Sequence, residues 1–324
     1  MDFLKSFPYF KGEKVLYVHG FASSGSSNTV TLLRNMLPEA EIIAPDLPIH
    51  PEEAINLLRT ICENEKPVLI VGTSMGGMYA EMLHGINRIL VNPAFEIAET
   101  MRTNIGLGKQ TFLNPRKDGI QSFMLTKGLQ SEYKEITKHC FEYSTDEDKD
   151  LVYGLFGHED PLVHTYDIFK QHYPQAIYFK GEHRLNDHVA FHCLMPVIQW
   201  IGRKAEKIQP PILFIHLRTL LDQNNHPIAE AQYAFERLAQ RYDTYIITPT
   251  ESTPIEIIES CLGVPAYNRV IQTNHSRLLY GDYLIDSIKT DDNKEFLGTF
   301  LHFGSEEFRS WEYMLDFFDK LGGQ

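Results

Sequence analysis

Cysteine is scarce in this chain, and extended apolar runs are missing. The four cysteines lie far apart and form no C-x-x-C pair: Cys62, Cys140, Cys193 and Cys261. We interpret them as reduced thiols of the core, which fits a reducing compartment. No apolar run is long enough to span a bilayer, and the first ten residues, MDFLKSFPYF, lack the apolar segment of a signal peptide. The expected location is therefore cytoplasmic.

Basic residues are also in deficit. The chain of 324 residues has 30 lysines and arginines against 43 aspartates and glutamates, which gives a formal net charge of −13. This surplus argues against a nucleic-acid partner and against an anionic membrane surface, because both would repel it. With 43% hydrophobic and 23% charged residues, the composition is that of a soluble globular protein. Its length suits two domains or one large α/β domain.

The stretch Val68–Tyr79, VLIVGTSMGGMY, contains the most specific motif in the sequence. Val68–Val71 is a short apolar, β-branched run that predicts a buried strand, and a helix-compatible segment starts at Gly77. Between them, G-x-S-x-G places Ser74 on a sharp turn where glycine neighbours avoid steric collisions. This order of elements predicts a nucleophile elbow, with Ser74 projecting from the carboxyl end of the sheet. The alternative is a strand–turn–helix with an inert serine.

A second loop is expected to complete the site. Strand Lys14–Val18 is followed by His19-Gly20-Phe21-Ala22, which matches the first βα loop of α/β-hydrolases, where one oxyanion donor lies. The donor is expected to be the backbone N–H of Phe21 or Ala22, and the amide of Met75 is expected to be the other. For the side chain of His19 we favour a structural role, hydrogen-bonded to the backbone at the strand end.

Strands and helices alternate with short connections as far as Ala94. The further predicted elements are helix Thr29–Leu37, strand Glu41–Ala44, helix Pro51–Asn64 and strand Ile89–Val91. This pattern predicts a mostly parallel sheet with helices on both faces, as in an α/β-hydrolase trimmed of its opening antiparallel strands. From Phe95 to Asp150 the pattern loosens, with a helix predicted at Ser131–Glu142. This segment is either a lid over the active site or an ordinary helical excursion.

A carboxylate follows the next predicted strand. Leu151–Phe156 leads to Gly-His-Glu-Asp-Pro-Leu-Val, and the acid of a catalytic triad belongs just past such a strand end. Asp160 is the candidate. Glu159 is the alternative, because the sequence does not fix the register of the loop to one residue.

A histidine follows the last strand of this half, Ala176–Phe179. His183 is the candidate base and His188 is the alternative. The order Ser74, Asp160, His183 is the one expected of α/β-hydrolases. In that arrangement His183 takes the serine proton and later returns it to the leaving group, while Asp160 holds the imidazole tautomer.

Six segments carry a family resemblance: Val15–Ser24, Ala44–Pro48, Val71–Gly77, Leu90–Ala94, Leu155–Val163 and Gly181–Leu185. Through them, residues 14–203 resemble the small YqiA-type (UPF0227) α/β-hydrolase esterases. The resemblance implies carboxylic-ester hydrolysis by Ser74, Asp160 and His183, and no cofactor is expected. The chain departs from that pattern at His158-Glu159, where small or acidic residues are more usual.

A charged linker, Lys204–Pro211, precedes a second β/α series. Strands are predicted at Ile212–Leu217, Thr244–Ile247, Arg269–Thr273, Tyr283–Ile285 and Thr299–Phe303. Helices are predicted at Ile228–Arg241, Thr253–Leu262 and Phe308–Leu321. The expected domains are residues 1–205 and a small α/β domain of residues 206–324.

Three segments of the second domain also carry a resemblance: Ile212–Asp222, Gly281–Thr290 and Phe296–Phe308. They resemble the 5′(3′)-deoxyribonucleotidase-like branch of the haloacid dehalogenase (HAD) superfamily, which has a Rossmann-like α/β fold. That branch needs Asp-x-Asp after its first strand, a helper lysine and paired acidic metal ligands. In this chain the corresponding positions are, in that order, His216 and Arg218, Ser276, and Asp286 with Ser287. Only Asp286 and a threonine, Thr248, match the pattern.

These departures remove the phosphatase chemistry that the resemblance would imply. Mg²⁺ prefers oxygen ligands, usually carboxylates, and one carboxylate beside the cationic Arg218 should not hold it. His216 cannot form an aspartyl-phosphate. We therefore expect a degenerate HAD-like domain without metal, with a structural or partner-binding role.

The leading hypothesis is a serine hydrolase of carboxylic esters or related acyl compounds, acting on a small-molecule acyl ester and joined to an inactive HAD-like domain. The alternative is a non-catalytic binding or scaffold protein made of two relic enzyme domains. Neither nucleic acid nor membrane is an expected partner, and the sequence leaves homo-oligomer formation open.

Overall fold

In a computed structural model, the chain is described at residues 10–206, 210–249, 253–263, 269–276, 279, 281–294, 296 and 298–322. Its internal contacts divide the described part into two units, residues 10–194 and residues 195–322. Each unit has its own parallel sheet and its own buried side chains.

The strands of the first unit are β1 (Lys14–Val18), β2 (Glu41–Ile43), β3 (Leu69–Thr73), β4 (Asn87–Val91), β5 (Gly108–Thr111), β6 (Ser122–Leu125), β7 (Val152–Gly157) and β8 (Ala176–Phe179). Six of them form one sheet in the order β2-β1-β3-β4-β7-β8, and every neighbouring pair is parallel. The central strands are almost entirely buried, as expected of apolar, β-branched segments in a parallel sheet. The predicted α/β class with a mostly parallel sheet is confirmed.

The helices of the first unit are α1 (Asn28–Met36), α2 (Pro51–Glu65), α3 (Met75–Glu81), α4 (Ile97–Thr100), α5 (Lys127–Ile136), α6 (Asp146–Lys149), α7 (Tyr166–Lys170) and α8 (Asp187–Val189). Short π-helical segments lie at Met101–Ile105 and Ala190–Leu194, and a 3₁₀ turn lies at Thr137–His139. Helix α2 shows why these segments fold as they do. It has proline in its first turn, acidic residues beside the positive end of its dipole, and one apolar face that enters the core at Ala54, Ile55 and Leu58.

The antiparallel ribbon formed by β5 and β6 has no counterpart in the prediction. Strand β5 reads GKQT and carries few β-branched or apolar residues, so its composition does not mark a strand. It forms by pairing with β6, where Lys109 lies opposite Met124. Helix α5 also starts earlier than predicted, because the Thr126 hydroxyl accepts a hydrogen bond from Leu129 N and caps the helix there.

The helices of the second unit are α9 (Met195–Glu206), α10 (Ala231–Ala239), α11 (Ile255–Leu262), α12 (Asp291–Lys294) and α13 (Trp311–Gly322). Its strands are β9 (Ile212–His216), β10 (Asp243–Thr248), β11 (Val270–Gln272), β12 (Tyr283–Asp286) and β13 (Thr299–His302). They form a five-stranded parallel sheet in the order β11-β10-β9-β12-β13. Among the helices of the described residues, none has the length and apolar content of a bilayer span.

Helix α9 groups with the second unit. Its Arg203 donates from Nε to the buried Asp282 at 2.9 Å, and Thr299 on β13 donates to the buried Gln199 at 3.1 Å. A polar side chain that is buried needs such a partner, so these pairs tie the helix to the second sheet. The contacts divide the chain between residues 194 and 195, one helix before the boundary predicted at residues 205 and 206.

Candidate active site

Ser74 lies between β3 and α3 in a backbone conformation that side chains rarely adopt, with φ 55° and ψ −121°. Glycines surround this turn because there is no space for side chains. A Cβ on Gly76 would overlap the carbonyl oxygen of Val18, and a Cβ on Gly72 would overlap the carbonyl oxygen of Gly76. The close packing of strand and helix therefore holds Ser74 in this strained position, which is the geometry of a nucleophile elbow.

The structure brings together three of the predicted side chains at the carboxyl ends of β3, β7 and β8. His183 Nε2 lies 2.9 Å from Ser74 Oγ, and His183 Nδ1 lies 2.7 Å from Asp160 Oδ2. An ionised carboxylate only accepts hydrogen bonds, so Nδ1 carries the proton and Nε2 presents its lone pair to the serine hydroxyl. The side chain of the alternative base, His188, lies outside those that the structure describes.

Asp160 is oriented by the loop that carries it. Its Oδ1 accepts hydrogen bonds from the amides of Leu162 and Val163 at 2.8 and 3.1 Å, which leaves Oδ2 for His183. The side chain of Asp160 is fully buried, whereas the alternative acid, Glu159, is exposed. Of the two acids, Asp160 is the one that contacts the imidazole.

The loop after β1 lies against the serine. A Cβ built on Gly20 would lie 3.3 Å from Ser74 Cβ and 3.8 Å from its Oγ. Within the described part of the chain, the amides of Phe21, Ala22 and Met75 donate to no protein acceptor. Unpaired amides in the segments that border the hydroxyl are the kind of donor that an oxyanion hole requires.

His19, which directly follows β1, has the structural role that we favoured from the sequence. Its Nδ1 donates to Gly20 O at 2.8 Å, and its Nε2 accepts from Leu47 N at 3.1 Å. Burial lowers the pKa of His19 to about 4. Both ring nitrogens are therefore hydrogen-bonded to backbone groups, and the ring is neutral at neutral pH.

Asn92 was not among the predicted site residues, yet its side chain connects the loops that carry Asp160 and His183. Its Nδ2 lies 3.1 Å from both Glu182 O and His183 O, and its Oδ1 accepts from Gly157 N at 2.7 Å. Asn92 directly follows β4 with a φ of 45°, a region that asparagine tolerates better than most residues. The available sequence signal is an asparagine between a buried strand and a proline, and it does not reveal these partners.

The segment from Phe95 to Asp150 is hydrogen-bonded to the loop beside the serine. Leu113 N, just past β5, donates to Ala22 O at 2.8 Å. Phe123 on β6 packs edge-on against Phe21, with 5.4 Å between the ring centroids. The ribbon therefore borders the loop that is expected to hold the oxyanion. The lid interpretation stays a prediction.

The positions that correspond to the phosphatase pattern lie at the carboxyl end of the second sheet. His216 ends β9, Thr248 ends β10 and Asp286 ends β12, and β9 lies between the other two strands. Ser276, which follows β11, is buried. Across the described residues, no three His, Cys, Asp or Glu side chains are grouped as a metal site would require.

Arg218 pairs with the one carboxylate that matches the metal-binding pattern. Its Nε and Nη2 lie 2.6 Å from Oδ1 and Oδ2 of the buried Asp286, and Asn293 Nδ2 donates to the same Oδ2 at 2.8 Å. Burial would raise the pKa of Asp286, but its bidentate contact with Arg218 holds that pKa below the ordinary value. Burial lowers the pKa of His216 to about 4, so this imidazole is neutral at neutral pH.

The first unit matches a known family. The family described as "Uncharacterised protein family (UPF0227)" matches residues 14–187, more than half of the chain. The chain belongs to UPF0227. The UPF0227 match contains Ser74, Asp160 and His183 and ends at the start of α8, and the predicted resemblance of this part is confirmed.

The second part of this UPF0227 chain has a curated relative. It is 33% identical over 120 residues to the protein named "Putative 5'(3')-deoxyribonucleotidase" from Vibrio phage KVP40. The match covers 35% of this chain, and the chain spans 64% of the length of that relative. The predicted resemblance to the 5′(3′)-deoxyribonucleotidase branch is confirmed.

Solved structures similar to this UPF0227 chain include Est1E and an alpha/beta hydrolase domain-containing protein. Est1E from Butyrivibrio proteoclasticus, solved with ferulic acid, is 15% identical with a TM-score of 0.40, and the match covers 61% of this chain and 89% of Est1E. Alpha/beta hydrolase domain-containing protein 10 from mouse is 13% identical with a TM-score of 0.36, and the match covers 60% of this chain and 88% of that protein. Neither likeness says anything about the substrate of this chain.

Proposed function

We propose that the first unit is a serine hydrolase that cleaves carboxylic esters of small molecules. The observation that carries this proposal is the pair of hydrogen bonds from Ser74 Oγ to His183 Nε2 and from His183 Nδ1 to Asp160. A hydroxyl, an imidazole and a buried carboxylate in this order can move the serine proton away as the oxygen attacks. An inert serine on a strained turn needs no such arrangement.

In the acylation step, His183 Nε2 takes the hydroxyl proton while Ser74 Oγ attacks the carbonyl carbon of the ester. The imidazolium that forms is stabilised by Asp160, whose Oδ2 faces Nδ1 and whose Oδ1 is held by two backbone amides. Because these amides fix the carboxylate before the substrate binds, little reorganisation is required as the charge develops.

The carbonyl oxygen becomes negatively charged in this step. The unpaired amides of Met75 and of Phe21 or Ala22 are proposed to bind it, and one such donor contributes about 3 kcal/mol of transition-state stabilisation. His183 then gives its proton to the leaving alcohol. The same imidazole activates a water molecule that releases the acid from Ser74.

The second unit is proposed to have no phosphatase activity. The supporting observation is that Arg218 occupies both oxygens of Asp286 at 2.6 Å. A divalent cation would have to displace the guanidinium that holds both oxygens of the buried Asp286 carboxylate. In addition, the position of the expected nucleophile is a histidine that is neutral at neutral pH. We therefore propose a structural or partner-binding role for this unit.

The direct test of the hydrolase is Ser74→Ala, with Ser26→Ala as the matched control because Ser26 is exposed. Turnover of p-nitrophenyl esters should fall at least about 10⁴-fold in Ser74→Ala, and labelling by a fluorophosphonate should disappear. His183→Ala should lose a similar factor, and the double variant should lose little more, because the two groups act as a unit. Ser26→Ala should behave as the wild type.

Thioesters and amides are cleaved by the same machinery, so a panel of esters, thioesters and amides identifies the preferred bond. If the folded wild-type protein turns over none of them and Ser74 stays unlabelled, the hydrolase proposal is wrong. Ligand binding without turnover would then favour the non-catalytic alternative.

A further inference from the structure

We propose that Asn92 is a positioning residue that holds His183 against Asp160 and Ser74. This inference rests on the proposed hydrolase function. Asn92 lies at the carboxyl end of β4, between β3 and β7 in the sheet, and these two neighbours lead to the serine and to the acid. Its side chain is buried, with 2% of the residue exposed.

The Asn92 amide uses three of its four hydrogen-bonding positions on the two loops. Both hydrogens of Nδ2 face carbonyl oxygens, those of Glu182 and His183, and Oδ1 accepts from Gly157 N. Two carbonyl acceptors and one N–H donor also fix which atom of the amide is nitrogen. Asn92 therefore binds the backbone of His183 itself on one side and the end of β7, three residues before Asp160, on the other.

The backbone around Asn92 is in turn bound to the nucleophile. Ser74 N donates to Val91 O at 2.9 Å, and Ala94 N donates to Ser74 O at 3.0 Å. Residues 91–94 thus hold the main chain of Ser74, while Asn92 holds the main chain of His183. One short bend links the two reacting side chains, and its geometry contributes to the 2.9 Å between Oγ and Nε2.

Loss of this link should affect catalysis more than substrate binding. A displacement of a reacting group by about 1 Å can cost about 100-fold in rate, whereas the loops that would contact the ester keep their other bonds. Glu159 N, for example, still donates to Gly181 O at 3.0 Å. We therefore expect kcat to fall and KM to change little.

Asn92→Gly is the cleanest variant, because glycine accepts a positive φ without strain while the side chain with its amide is removed. Asn225→Gly is the matched control, since Asn225 also has a positive φ, 59°, and lies in the second unit. Asn92→Gly should lower kcat for p-nitrophenyl esters about 100-fold, with KM within about twofold of wild type. Asn225→Gly should change neither constant.

A second readout reports the position of His183 without turnover. The proton between His183 Nδ1 and Asp160 should give a low-field NMR resonance in the wild type, absent from His183→Gln. In Asn92→Gly this resonance should broaden or disappear while the thermal unfolding transition remains. This signal does not require turnover. A wild-type protein that shows the resonance but hydrolyses no ester would therefore contradict the proposed hydrolase function and not the positioning role of Asn92.

Wild-type kcat in Asn92→Gly would overturn the inference, and so would a reduced kcat with an unchanged resonance, because His183 would then be held without Asn92. If Asn92→Gly does not fold, Asn92→Asp decides. It keeps the size of the side chain and the acceptor for Gly157 N but loses both donors to the His183 loop. A loss of kcat in folded Asn92→Asp supports the inference. Wild-type kcat, or failure of both variants to fold, overturns it.

Discussion

His19 is buried at the end of β1, with both ring nitrogens bonded to the backbone. Protonation would place a charge in this buried site and would break the hydrogen bond from Leu47 N. The pKa is about 4 in the folded protein and about 6.5 in an unfolded chain. Between these values the unfolded chain binds more protons than the folded one, so the free energy of unfolding falls as the pH is lowered through this window.

His19→Gln should reduce this pH dependence. Between pH 7 and pH 5 the wild type is expected to lose about 2 kcal/mol of unfolding free energy that the variant does not lose. Guanidinium chloride denaturation at both pH values measures the difference, with His164→Gln, which replaces an exposed histidine, as the control. An equal loss in His19→Gln and wild type would show that His19 is not the titrating group.

Single residues of the site differ in how far the sequence reveals them. Ser74, Asp160 and His183 could be selected because each follows a recognisable strand in the chain order of a known fold. The choice of Asp160 over Glu159 needed the loop conformation, since one residue of register exchanges a buried side chain for an exposed one. Asn92 could not be selected, because its partners lie 65 to 91 positions away and depend on a left-handed backbone angle.

At the scale of elements, β1, β3 and α3 meet so closely at the elbow that the contact is made by backbone. Gly76 faces the carbonyl oxygens of Val18 and His19, and a Cβ on it would overlap the first of them. Gly128, in the first turn of α5, has ordinary space, and a Cβ there would come within 3.6 Å only of Thr126 Oγ1. Substitution of Gly76 therefore tests the close packing at the elbow, whereas substitution of Gly128 tests the intrinsic helix propensity alone.

Gly76→Ala should destabilise the first unit by several kcal/mol or prevent its folding, because α3 would have to move away from β1. Gly128→Ala should leave the unit as stable as wild type or stabilise it by about 0.5–1 kcal/mol, because alanine is the better helix former. Thermal and denaturant unfolding measure both. A Gly76→Ala protein with wild-type stability would show that the packing at the elbow is not close.

Elements with a strong local signal were predictable, and elements defined by pairing were not. Strands β1 and β8 lie at the predicted residues, because apolar, β-branched runs bounded by turns predict a buried strand. The ribbon escaped prediction because β5 carries little intrinsic strand preference and exists through its register with β6. Leu113 N donates to Ala22 O, and Asn114 Nδ2 donates to Ser23 Oγ. These hydrogen bonds hold the ribbon against the loop after β1, and no local sequence pattern predicts them.

At the scale of the whole molecule, the chain joins two units with different polar clusters. In the first unit Ser74, His183 and Asp160 are hydrogen-bonded in series. In the second unit Arg218 pairs with Asp286, the carboxylate that the phosphatase resemblance assigns to metal binding. Arg218 supplies the positive charge beside Asp286 that a divalent cation supplies in a metal site. The second unit should therefore fold and persist without Mg²⁺. This expectation distinguishes an inactive unit from a phosphatase that has simply lost its metal.

Millimolar Mg²⁺ should leave the unfolding of the wild-type protein unchanged. In His216→Asp/Arg218→Asp, three carboxylates would lie at the ends of β9 and β12, and Mg²⁺ should stabilise this variant by about 1–3 kcal/mol in calorimetry. His226→Asp/Arg237→Asp makes the same change of charge at exposed positions of the second unit and should not respond. Mg²⁺-dependent release of phosphate from nucleotides by the wild type would contradict the inactive assignment.

The ion pair between Arg203 and Asp282 limits where this chain can be joined to a related one in a chimaera. The match to UPF0227 stops at residue 187, before α9 begins, whereas Arg203 on α9 pairs with Asp282, a carboxylate buried at the amino ends of β9 and β12. A crossover in the linker near residue 206 would separate Asp282 from Arg203, and breaking a buried ion pair costs about 3–5 kcal/mol. A crossover between α8 and α9 would keep Arg203 and Asp282 in the same parent sequence. Chimaeras that fold should therefore exchange α9 together with the second sheet.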